Sequence, residues 1–379
     1  MAAARRIATQ AAALAPRCER ERRLAPELVG AIAEAGLFRL CVPAVAGGLE
    51  APATALLESV EALAYGDGAA GWCLAIGATS GLLLGYLPAD AAREIYSRPE
   101  VILGGVFAAR GGATPEGAGY RVSGRWPFAS GCGHCDWLMG GCAVHDGDGV
   151  RMLSSGKPDI RLMLAPADQV TIHDTWHVMG LRGTGSHDIE FDRLWVAAEH
   201  SASVLTDPPL SDAPLYAFPL FGLLALAIAG VSLGIARGAL DELIALAHEK
   251  TPTGSTRLLA ERPVVQSDLA RAHATLAGAR LLLFDAVAGA WETARERGEV
   301  PLSERAAIRL AATQAAAAAA EAAGTAYRLA GGSAIYESSP LQRRFRDANV
   351  ATQHMVVGPA TWELTGRMIL GLETDAMQL

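Results

Sequence analysis

The stretch Gly124-Arg-Trp-Pro-Phe-Ala-Ser-Gly-Cys-Gly-His-Cys-Asp-Trp137 decides how this chain is read. Bulky residues run up to Phe128, small and polar ones follow, and Trp137 opens a second apolar run. The pattern predicts a strand, a turn carrying Ser130, and another strand. A small-residue turn pinched between two strands can offer main-chain N–H groups and one hydroxyl to a flat ligand.

Strand patterns continue on both sides of this turn. Runs at 120–128, 137–144, 161–165 and 188–196 alternate with Gly, Pro and Asp clusters. Upstream, Leu28, Ile32 and Ala35 recur on one helical face and Gly36 stops that helix. Further helices are predicted over 53–64 and 69–87, with Pro88 beginning the next. Downstream, long helices are expected over 266–295, 303–330 and 347–371. The alanine-rich run 311–323 includes Gln314 and Glu321, which mark a close-packed helix rather than a disordered tract. Helices, then strands, then helices predict an α+β fold. Its expected domains are an N-terminal helical domain over 1–98, a central β-domain over 99–206 and a C-terminal helical bundle over 207–379.

Composition narrows the function. The chain has 379 residues and a net charge of −8, with no Lys/Arg tract, which sets nucleic acid aside as a partner. Six cysteines are few for this length and lie in apolar surroundings, so a reducing, cytoplasmic location is expected. Glu19 and Glu21 make the start read as an ordinary first helix rather than a transit peptide. Residues 213–236 carry no charge, and Gly230, Gly234 and, just past that run, Gly238 lie four apart, as in membrane helices. Pro214 and Pro219 shorten the helical part, and charged amphipathic helices follow. The expectation is therefore a helix buried in a bundle, with no membrane partner.

Three segments taken together carry a resemblance. They are the strand–turn–strand at 120–144, Asp174-Thr-Trp-His-Val-Met-Gly-Leu-Arg-Gly-Thr-Gly-Ser-His-Asp188, and Gly331-Gly332 followed by Arg346-Asp347. In this order they resemble the acyl-CoA dehydrogenase fold over nearly the whole chain, which implies a β-barrel-like central domain. Phe128-Ala-Ser-Gly131, Leu181-Arg-Gly-Thr-Gly-Ser186 and Gln353-His354 most resemble its flavin-dependent monooxygenases, such as the oxygenase component of p-hydroxyphenylacetate hydroxylase.

The resemblance implies reduced flavin (FMN or FAD) and O2 as reactants, acting through a C4a-hydroperoxide on a small organic substrate that is aromatic or heteroatom-bearing. It also implies a separate flavin reductase and a homotetramer with flavin sites shared between subunits. Phe128, Ala129 and Ser130 match the family's flavin segment, and Ser130 would bond flavin N5 or O4. His354 would face the reacting edge of the flavin. With an ordinary pKa of about 6.5, an imidazole there can take or give a proton near neutral pH. Gly331 and Gly332 resemble a segment that touches the dinucleotide of a neighbouring subunit; the alternative is a glycine helix C-cap. Some oxygenases carry a substrate-side histidine where this chain has Ala78-Thr-Ser-Gly81, so that role falls to Ser80 or is absent.

Competing readings come from the same residues. The dehydrogenases need a carboxylate near 354, and Thr352-Gln-His-Met355 has none; Leu224-Ala-Leu-Ala-Ile228 has none either. An acyl-CoA dehydrogenase with a displaced base and a non-catalytic relative that acts as a binding protein are the alternatives. Cys132-Gly-His-Cys135 is spelled like a thiol–disulfide site, but it lies between strands rather than at a helix start. Cys132, Cys135, Cys142 and His145 lack the spacing of a zinc site. Segment 342–347 reads as an ion-paired interface. No second nucleotide-binding motif is present, which argues against direct use of NADH.

Overall fold

The computed structural model describes residues 2–147 and 149–379. Five helices come first: α1 (Ala2–Glu21), α2 (Pro26–Glu34), α3 (Ala53–Gly66), α4 (Gly68–Ser80) and α5 (Ala89–Ile95). Pro26 opens α2, where its missing N–H costs nothing, and Gly36 follows the end with φ 71°. Asp67 caps α4 by accepting from the Ala70 N–H at 3.0 Å. α4 is apolar on every side, and all its residues except Ile76 are buried.

The strands are β1 (Leu103–Glu116), β2 (Gly119–Ala129), β3 (Trp137–Asp146), β4 (Gly149–Val150), β5 (Ile160–Pro166), β6 (Thr171–His173), β7 (His187–Ala197) and β8 (Ser201–Ala202). They form one mixed sheet in the order β6-β7-β2-β1-β3-β5-β8, with β4 paired to β3. β1 and β3 are parallel, and the other pairings are antiparallel. The sheet coils around its own apolar core, where Trp126, Phe191, Leu138 and Met163 meet. Trp126 is fully buried and its indole N–H donates to the Gly141 carbonyl at 2.8 Å. The strand patterns at 120–128, 137–144, 161–165 and 188–196 lie within β2, β3, β5 and β7.

The C-terminal part comprises α6 (Pro214–Ala217), α7 (Leu220–Glu249), α8 (Pro263–Arg297), α9 (Leu302–Ala330), α10 (Pro340–Ala351) and α11 (Ala360–Ile369). The expected single helix over 347–371 is two helices. Chain direction changes after Ala351, His354 caps a short turn through its own side chain, and Pro359 cannot continue the ladder.

α7 is long and apolar enough to cross a membrane, and most of that span is buried inside the protein. A methyl group on Gly234 would collide with the Glu61 carbonyl oxygen, so glycine is what lets α7 lie against α3. Beside that contact the buried Glu61 carboxylate accepts from Arg237 at 2.9 Å and from Arg280 at 2.8 Å, tying α3 to α7 and α8.

Candidate functional site

Pro127 has no N–H to give the ladder, and the β2–β7 register slips between Trp126 and Ala129. The bulge places Phe128 at φ 68°, a conformation that costs a bulky residue energy and is held here by the surrounding sheet. Its ring is turned outward, 68 % exposed, with Trp176 edge-on at 6.2 Å. Ala129 is buried beneath it, and Ser130 turns inward.

Ser130 is the meeting point of three elements. The Trp72 indole N–H on α4 donates to its Oγ at 3.0 Å. The Ser186 Oγ lies 2.7 Å away, and Ser186 in turn meets the Thr184 Oγ1 at 2.6 Å. Thr184 donates to the Leu181 carbonyl at 2.8 Å. The turn 181–186 is docked from the other side by α10. The buried Asp347 carboxylate accepts from the Leu181 N–H at 2.5 Å, and Arg346 donates to the Met179 carbonyl. A side chain on Gly180 would run into the Arg346 backbone, 2.6 Å away.

α10 also delivers His354. Its ring sits edge-on to Trp72, with centroids 5.6 Å apart. Nδ1 accepts from the Val356 N–H at 3.4 Å, which leaves the proton on Nε2. Burial, with the Arg309 charge adding to it, pushes the imidazole down to about 4. This corrects the expectation of a ring titrating near neutrality. At pH 7 His354 is neutral because water does not reach it well enough to stabilise a charge, so it can donate from Nε2 but holds no spare proton. Asp347 moves the other way: burial and the nearby Asp67 carboxylate raise it to about 7.

Ser130 and His354 therefore meet at Trp72, while Phe128 and Ala129 adjoin Ser130 along the chain. Gly331 and Gly332 do not join them within one chain. Gly331 ends α9 with φ 58°, and Lys250 Nζ donates to the preceding Ala330 carbonyl at 2.6 Å. Ser80 is fully buried two turns beyond Trp72, and its hydroxyl has no partner. Segment 342–347, expected at an interface, makes its ion pairs within the chain: Arg343 and Arg346 both reach Glu19 of α1.

The cysteines are free, and burial raises Cys132 to about 11 and Cys135 well above its ordinary value. Neither supplies a thiolate. Cys132, Cys135, Cys142 and His145 do not converge either; among the described residues the side chains that do are Glu94, Glu199 and His200. Trp72, Thr184 and Asp347 carry structural weight in the site that the sequence reading did not assign. A lone indole in a small-residue apolar helix is the one signal that could have pointed to Trp72.

Phe128, Ser130 and His354 are residue types that could hold a flavin ring: an exposed aromatic face, a seated hydroxyl, and an imidazole that packs on Trp72 beside that hydroxyl. No carboxylate hydrogen-bonds to Trp72, Ser130 or His354 among the described residues. Glu363 lies exposed on α11, beyond the break that follows His354.

Residues 1–94 match the family described as acyl-CoA dehydrogenase, N-terminal domain, and residues 226–359 match acyl-CoA dehydrogenase, C-terminal domain. The chain is 35 % identical to an indole-3-acetate monooxygenase of Pseudomonas putida, covering 93 % of this chain and 89 % of the relative. It is 29 % identical to the oxygenase component of an FADH2-dependent resorcinol hydroxylase from a Rhizobium species, over 94 % and 90 % of the two chains. Among solved structures, XiaF from a Streptomyces species, in complex with FADH2 and glycerol, superposes with a TM-score of 0.86 at 28 % identity, over 96 % and 92 % of the chains. With its dehydrogenase-type helical domains and its monooxygenase relatives, the chain belongs to the acyl-CoA dehydrogenase fold superfamily, in its flavin-dependent monooxygenase branch.

Proposed function

We propose that this protein is the oxygenase component of a two-component monooxygenase. It takes reduced FMN or FAD from a separate reductase and uses O2 to oxygenate a small aromatic substrate of the indole or phenol class. The observation that carries the reading is His354, a neutral imidazole against Trp72 with no carboxylate beside it. A thioester dehydrogenase without a base forfeits about 10²–10⁴-fold in rate.

The bound flavin would supply oxygen activation and transfer of one oxygen atom. Phe128, Ala129 and Ser130 would hold the ring, with Phe128 covering it and Ser130 meeting its N5 edge. His354 would donate from Nε2 to the substrate or to the oxygen being transferred, orienting it without adding charge. Trp72 fixes both Ser130 and His354, and its indole helps keep water from the reacting edge.

Gly331, Gly332 and Lys250 would serve the flavin of a neighbouring subunit. A homotetramer would cover α8, which exposes Leu281 and Leu282. A cytoplasmic location accords with six unpaired, mostly buried cysteines.

The test is anaerobic loading with dithionite-reduced FMN or FAD, followed by isotopically labelled O2 and indole-3-acetate or resorcinol. Labelled oxygen in the product supports an oxygenase. No label, together with bleaching of bound oxidised flavin by an acyl-CoA, overturns it.

A further inference from the structure

The hydrogen bonds around Ser130 have a direction that can be counted. An indole N–H only donates, and a carbonyl oxygen only accepts. Between the Trp72 indole and the Leu181 carbonyl stand three hydroxyls, Ser130, Ser186 and Thr184, each with a single proton. Thr184 spends its proton on Leu181, so the 2.6 Å contact to Ser186 needs the Ser186 proton. The 2.7 Å contact between Ser186 and Ser130 then needs the Ser130 proton. One arrangement satisfies all four links: Trp72 to Ser130 to Ser186 to Thr184 to Leu181.

Each member is held firmly. Ser130, Thr184 and Ser186 are all buried, so water does not compete for their protons. The Leu181 carbonyl that ends the chain also takes the Trp176 indole N–H at 3.1 Å and the Thr184 N–H, also at 3.1 Å. The Asp347 carboxylate pins the same residue through its N–H. The result is that Ser130 has given away its only proton and has used one lone pair on Trp72. What remains for a ligand is a single lone pair.

We infer that this one-way hydroxyl chain makes Ser130 an obligate hydrogen-bond acceptor, and that Thr184 and Ser186 are thereby positioning residues that select reduced over oxidised flavin. The inference rests on the reading that Ser130 meets flavin N5. Reduced flavin carries a proton on N5 and donates it to the free lone pair of Ser130. Oxidised flavin offers only a lone pair at N5, which faces another lone pair and gains nothing. The same seat would therefore hold the reduced cofactor more tightly than the oxidised one.

The experiment is to measure dissociation constants of oxidised and anaerobically reduced FMN and FAD for the full-length protein and three variants, with unfolding temperature as the check on folding. Ser186→Ala and Thr184→Val each free the Ser130 proton to point at the ligand. In both, the preference for reduced flavin falls by about tenfold, mainly because the oxidised form binds better. Ser130→Ala weakens the reduced form and also abolishes the preference. An unchanged ratio in folded Ser186→Ala and Thr184→Val, while Ser130→Ala still weakens binding, overturns the inference and leaves the flavin site standing. If Ser130→Ala alters neither affinity, Ser130 does not meet the flavin, and the site reading fails together with the inference.

Discussion

At the scale of single residues, burial sets the chemistry more than residue type does. His354 is an ordinary histidine by sequence, but poor access to water and the Arg309 charge push it down to about 4. An NMR titration of its ring should show a midpoint near 4, well below that of an exposed histidine. Because its folded pKa lies below the unfolded one, the folded state binds fewer protons between about pH 6.5 and 4, and this group subtracts stability as pH falls through that window. Asp347 has the opposite sign. Its folded value of about 7 exceeds the unfolded value, so the charged form costs stability as pH rises from about 4 to 7. Asp67 faces it with like charge, while Arg343 and Arg346 partly offset the cost. Asp347→Asn keeps an acceptor for the Leu181 N–H, so the variant should gain thermal stability relative to the wild type between pH 5 and pH 8. Melting curves at the two values check this. Replacing His354 by Ala should lower product formation by on the order of 10²-fold and divert turnover to hydrogen peroxide, read by a peroxide assay.

At the scale of elements, close approach is what the small residues provide. α7 carries glycine at 234 where α3 presents the Glu61 carbonyl, and the buried ion pairs of Glu61 sit beside that contact. Gly234→Ala should destabilise the protein by about 1–3 kcal/mol, seen as a lower unfolding temperature, since the backbone it meets cannot step aside like a side chain. Trp126→Ala should cost more, about 3–5 kcal/mol, because the sheet coils around that ring. The apolar spacing over 347–371 carries on past Gly358 and Pro359, which is why the pattern predicts one continuous helix where the structure has two. The break is functional in effect: it leaves His354 at a helix end, where the side chain can turn toward Trp72 rather than lie along a ladder.

At the scale of the whole molecule, α8 is the element with an unfinished surface. Leu281 is 67 % exposed on a helix whose other face packs on α9. If a second copy covers it, Leu281→Asp should shift the sedimentation coefficient toward smaller assemblies and, on the proposal that Gly331 and Gly332 serve a neighbouring subunit's flavin, weaken flavin binding. A variant that sediments unchanged argues that another face makes the contact. The order of helices, strands and helices, the turn at Ser130 and the missing carboxylate near 354 were all set by local residue pattern, which needs only neighbours in the chain. The meeting of Trp72, Ser130, Ser186 and His354 brings together residues from four separate segments, and no spacing in the sequence encodes such a distance. Proton direction along the hydroxyl chain, the depressed histidine and the raised aspartate likewise depend on what packing removes from water. Local pattern thus determined which elements form and which residue types are on hand, whereas long-range packing alone decided which of them touch and in what protonation state they do so.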